Sequence, residues 1–167
     1  MAIWYKLVDT SDSGIKEFVS MFWGFHDFRI GTVTYAYEKN YLDLFLEYDT
    51  EEEGLILRFV GVSDFHINTD RDFEADWIMG GSVTAISEDT LLWTDQEDMD
   101  IASIKKYENW VCAGKLFWAV TDGKGNAVEL PYNYQHQTLY TLNYQTGKYE
   151  ISKHDFNPIP CENDEIF

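Results

Sequence analysis

Apolar and polar positions alternate through three runs between Phe25 and Val62, and that alternation predicts three strands joined by two polar turns. In Tyr41 to Tyr48, Leu42, Leu44, Leu46 and Tyr48 fall on one face while Tyr41, Asp43, Phe45 and Glu47 fall on the other. A two-residue period of this kind belongs to a half-buried strand. Before it, Ile30 to Tyr37 is rich in β-branched and aromatic residues, with Val33, Tyr35 and Tyr37 on one side. After it, Leu55, Leu57 and Phe59 alternate with Ile56, Arg58 and Val60. Glu38-Lys39-Asn40 and residues 49–54 carry turn chemistry, so an antiparallel meander is the simplest arrangement.

The flanking chain adds one helix and more strands. Ile15, Phe18, Val19 and Phe22 recur at helical spacing between Gly14 and Gly24, which predicts a short helix with a core-facing stripe. Residues 2–8 read as a first strand. Ser82 to Ile86 and Thr90 to Thr94 read as two short strands around Ser87-Glu88-Asp89. Trp110 to Cys112 and Leu116 to Thr121 are apolar runs around Gly114, and Asp122 to Asn126 is a turn. Thr138 to Tyr144 and Lys148 to Ile151 flank Gln145-Thr146-Gly147 as a closing hairpin. The expected fold is mainly β: one antiparallel domain over residues 1–167, as a curved sheet, open barrel or two-layer sandwich, with one short N-terminal helix. The tail after about residue 157 is expected to fray, since Pro158, Pro160 and acids dominate it.

Charge changes the picture most. Thirty acidic against twelve basic residues give a net charge of −18. Such a field repels nucleic acid and anionic membranes and speeds encounter with a basic protein. Eleven acids and one base lie between Asp64 and Asp100, so ten of the eighteen net charges fall in 37 residues. Aromatics alternate with these acids at Phe65, Phe73, Trp77 and Trp93. A partner-binding face is therefore expected there, with Asp70, Asp72, Asp95, Glu97 and Asp98 as rim charges and Trp77 as an apolar anchor. The alternative is a carbohydrate- or small-ligand-binding module using exposed aromatics such as Trp93, Trp110 or Trp118.

Chemistry-bearing motifs are sparse. Asp70-Arg71-Asp72-Phe73-Glu74 spaces acids like a calcium loop, but Ala75 stands where the loop needs Gly. His26, His66, His136 and His154 lack zinc-ligand spacing. Gly80-Gly81-Ser82 is not a nucleophile elbow, and Cys112 sits in an apolar run as a packing residue. His26 and Asp27 are adjacent, so in an extended chain they point to opposite faces and serve the turn before the strand. No enzyme, metal or cofactor is expected. Two cysteines form no disulfide framework, and no leader or long apolar run is visible, so the expected location is the cytoplasm.

Phe25-His26-Asp27 leading into Arg29-Ile30, then Leu42, Leu44 and Leu46, then Leu57 to Val62, resembles a pattern in small uncharacterised bacterial proteins that are similar to immunity proteins of polymorphic-toxin systems. The resemblance covers Phe25 to Val62. It implies a cytoplasmic, acidic, non-enzymatic protein that neutralises a toxin by binding it, and it carries no functional residue over.

Overall fold

The computed structural model describes residues 3–48, 52–68, 77–78, 80–97, 109–162 and 165. In chain order its strands are β1 (Tyr5–Lys6), β2 (Phe28–Ala36), β3 (Tyr41–Tyr48), β4 (Glu53–His66), β5 (Ser82–Ser87), β6 (Thr90–Thr94), β7 (Trp110–Asp122), β8 (His136–Asn143), β9 (Lys148–Asp155) and β10 (Ile159–Pro160). Helix α1 spans Asp12–Met21, and a single turn, α2, spans Tyr132–Gln135. Eight strands form one open antiparallel sheet in the order β10-β1-β7-β4-β3-β2, with β6 against the first part of β7 and β5 beyond β6. Strands β8 and β9 pair with each other as a separate hairpin. The fold is mainly β, and the sheet does not close into a barrel.

The meander follows from the alternation. Val33 opposes Leu44, Leu44 opposes Leu57, and Leu57 opposes Trp118, so one row of apolar side chains crosses four strands on the same face. A bulge between Ile30 and Thr32 inserts Gly31, which lets Phe28 and Ile30 return to the face that Val33 and Tyr35 also use. A Cβ at Gly31 would stand 2.8 Å from the Glu47 carboxylate. Ser11 caps α1 by accepting from the Gly14 amide, and Asp9 in turn accepts from Ser11. A Cβ at Gly14 would collide with Asp9, so glycine lets the cap fold over. Ile15, Phe18 and Met21 then lie buried within the same apolar core as Leu42, Leu44, Leu57 and Trp118. Each such burial is worth about 1.5–3 kcal/mol.

Several expectations shift. Trp110 to Thr121 lies in one continuous strand, which pairs with β1, β4 and β6. The first strand is shorter than residues 2–8. In the tail, Ile159–Pro160 pairs with β1, and the Cys161 amide donates to the Trp4 carbonyl. The sheet's second face is not simply polar. Asp43 is only 7% exposed, and its carboxylate accepts from Arg58 Nε at 2.7 Å and Nη2 at 2.8 Å. The guanidinium lies over Tyr41 at 4.3 Å and Trp4 at 4.9 Å, so aromatic rings cover a charged pair that the alternation placed in solvent.

Candidate functional site

Residues 23–27 turn the chain from α1 into β2 through left-handed backbone. Trp23, Gly24, Phe25 and Asp27 have φ of 52°, 65°, 59° and 68°. Each non-glycine residue there costs about 1–2 kcal/mol, so the surroundings must over-determine the turn. They do so from two sides. Phe22 and Phe25 are fully buried, with rings 6.0 Å apart, and Phe25 meets Phe18 and Trp93 at 6.1 Å. Residues 77–78 and 80–81 lie alongside: Gly81 N donates to Gly24 O, Asp27 N to Ile78 O, and Ile78 N to Phe28 O. A Cβ at Gly81 would press on Phe25 and on the Thr94 carbonyl, which explains Gly80-Gly81 as a close backbone approach.

This turn forms one wall of a cleft of about 420 Å³ lined by Trp23, His26, Asp27, Tyr48 and Glu97. Trp23 is 42% exposed, and its ring faces Tyr48 at 6.3 Å and Tyr134 at 5.3 Å. Tyr134 donates to Glu53 at 3.1 Å, and burial together with that carboxylate pushes its phenol far above the ordinary range. His26 Nδ1 lies 3.0 Å from Asp27 Oδ1. The two side chains therefore meet on one side, because Asp27 is left-handed rather than extended. Glu97 reaches the cleft across Gly80, where a Cβ would run into its carboxyl. A larger depression lined by Arg29, Glu47, Glu53, Asp122 and Lys124 carries both signs of charge, with Arg29 bound to Glu47 at 2.8 Å. The described lining of the Trp23 cleft has carboxylates and a histidine but no lysine or arginine.

The residues expected to bind a partner separate. Asp70, Asp72 and Asp98 lie outside the described residues, as does the whole calcium-like run from Asp70 to Glu74. Trp77 bridges to Arg29, whose guanidinium lies 5.4 Å from its ring, and it is half-buried. Asp95 is not a free rim charge: Asn109 Nδ2 donates to it at 2.6 Å, and burial raises its carboxyl pKa. Of the acids expected as rim charges, Glu97 is the described one that lines the cleft. Trp93, Trp110 and Trp118 are 0, 4 and 2% exposed, so these three tryptophans belong to the interior and offer no binding platform.

Trp23, His26 and Tyr48 were not singled out as site residues, since helical and strand periods say nothing about a left-handed turn. The one signal was Gly24 beside two buried aromatics. Among the described residues no three His, Cys, Asp or Glu side chains group to hold a metal ion. Cys112 is buried in β7, and burial pushes the Cys161 thiol up to about 11. No helix among the described residues is long and apolar enough to cross a membrane. No protein-family model, curated protein or solved structure matches this chain.

Proposed function

We propose that this chain is a non-catalytic protein-binding module that takes up a basic partner and neutralises it by occupancy, as an immunity protein does. The observation that carries the reading is the cleft at Trp23, where two aromatic rings and the Asp27 and Glu97 carboxylates line one opening. Such a lining suits a lysine or arginine side chain. A cation over an aromatic face gains about 0.5–2 kcal/mol, and carboxylates add charge-assisted hydrogen bonds. The net charge of −18 steers the approach, and the cleft supplies the short-range contact. His26 competes with the incoming cation for Asp27 and holds that carboxylate in place beforehand.

Association with a purified basic partner, sought first as the product of the neighbouring open reading frame, tests this. Trp23→Ala and Glu97→Gln should each weaken the complex about tenfold or more, which is about 1.4 kcal/mol. Glu97→Gln should also lower the dependence of the association rate on salt. A complex that leaves Trp23, Asp27 and Glu97 open to solvent rejects the reading.

A further inference from the structure

Strands β1 and β10 pair through Lys6 with Ile159 and Tyr5 with Pro160, and the Cys161 amide extends the ladder to Trp4. Bonded rungs of an antiparallel ladder fall at every second residue, so the next one outward would join Val8 to Asn157. That rung is not made: among the described residues neither main chain takes part in a hydrogen bond. The two chains are held apart on either side of it. Leu7 N donates to Leu116 O on β7, whereas Phe156 N donates to Gln135 O in α2. The gap opens into a pocket of about 190 Å³, with Phe18, Met21, Trp118 and Phe156 of the core as its floor. An apolar cavity of ~150 Å³ is enough to hold a benzene ring, so this one has room for a ring with a short arm.

Charge at the mouth selects the head group. The charged residues of the described lining are Lys6, Asp9 and Glu17, one base against two acids. Lys6 is already held by a third acid, Glu165, at 2.7 and 3.0 Å. Asp9 is turned to the helix cap, where it accepts from Ser11 N at 3.0 Å and Ser11 Oγ at 2.6 Å. Glu17 is half-exposed beside His154, at 3.6 Å, and pairs with no lysine or arginine among the described residues. An incoming cation is therefore favoured at this mouth and an anion is not.

We infer that this pocket binds a small hydrophobic amine, with one aromatic ring on the floor and a primary ammonium at the mouth. The ammonium has three donors and no acceptor. Glu17 and the unpaired carbonyls of Val8 and Asn157, all in the lining, supply matching acceptors. A carboxylate of the same size could use the two free amides of the open rung, but it would face the excess of acids. The pocket is distinct from the Trp23 cleft, with which it shares no described lining residue.

Amide and indole NMR of the full chain, titrated with phenethylamine, phenethyl alcohol and phenylpropionate, is the test. The amine should shift the Val8 and Asn157 amides and the Trp118 indole saturably, with a Kd of about 1 mM or below. The alcohol should bind about tenfold more weakly, and the acid more weakly still. Glu17→Gln should weaken the amine about fivefold and leave the alcohol unchanged. Its side chain is half-exposed, so the variant should otherwise keep the wild-type spectrum. Trp23→Ala should alter neither affinity. Three results overturn the inference: no saturable shift at these groups, a carboxylate bound as tightly as the amine, or an amine affinity that ignores Glu17→Gln or is lost with Trp23→Ala.

Discussion

Asp43 shows how far a single side chain can depart from its place in a pattern. Its alternation partners Tyr41, Phe45 and Glu47 are half-buried or exposed, yet its carboxylate is sealed against Arg58. Removing one member of a buried pair strands the other, so Asp43→Ala should cost about 3 kcal/mol in denaturant unfolding. Asp43→Leu with Arg58→Met should recover most of that loss, and equal costs for the single and double variants would show that the pair is not coupled. Asp95 makes the opposite case. Burial raises its folded pKa, so its ionised form opposes folding, and stability contributed by the protonated form is lost as pH rises through that raised value. Asp95→Asn should keep the contact with Asn109. It should melt at or above wild type at pH 7, with the advantage vanishing below the ordinary carboxylate range. The sequence alone predicted both residues as solvated because acids usually are. Their burial depends on Arg58 and Asn109, 15 and 14 residues away, which no local period encodes.

At the level of elements, legibility tracks periodicity. Strands β3, β5 and β6 and the core stripe of α1 were readable because each repeats its apolar positions over several residues. The turn from Trp23 to Asp27 was not, since nothing in residue type forces Trp, Phe and Asp into left-handed backbone. Tertiary bonds with Ile78 and Gly81 do so. Two adjacent glycines separate support from function there. Gly81→Ala meets Phe25 and the Thr94 carbonyl at 3.0 Å, both rigid, and should destabilise by about 1–3 kcal/mol. The nearest atoms that Gly80→Ala would meet are in the exposed Glu97 side chain. That substitution should leave the melting temperature nearly unchanged while displacing that carboxylate from the cleft and weakening partner binding. If Gly80→Ala unfolds the chain instead, Glu97 is packed more firmly than its exposure implies.

For the molecule as a whole, charge and shape divide the surface into an acidic body with the Trp23 cleft and a separate hairpin, β8–β9, whose two lysines balance Glu150 and Asp155. Both features were hidden in a composition that reports only their sum. A further property follows from where β1 lies. Tyr5 and Lys6 are bordered on one side by β7 and on the other by Ile159–Pro160, and Lys6 pairs with Glu165, 159 residues along the chain. Closing so long a loop is slow relative to forming the β2–β4 meander, because its entropy must be spent before any contact repays it. On the ribosome, Tyr5 and Lys6 emerge before the rest of the sheet yet wait unpaired until β7 is synthesised, and they gain their second neighbour only when residues 159–160 follow. In refolding followed by pulsed hydrogen exchange, the Leu7 and Cys161 amides, bonded to Leu116 and Trp4, should be protected last. Protection in step with β3 and β4 would mean that this seam nucleates the sheet rather than closing it. Until the seam closes, the nascent chain carries an open strand edge on β7, and that interval is when it is most exposed to mispairing with its neighbours.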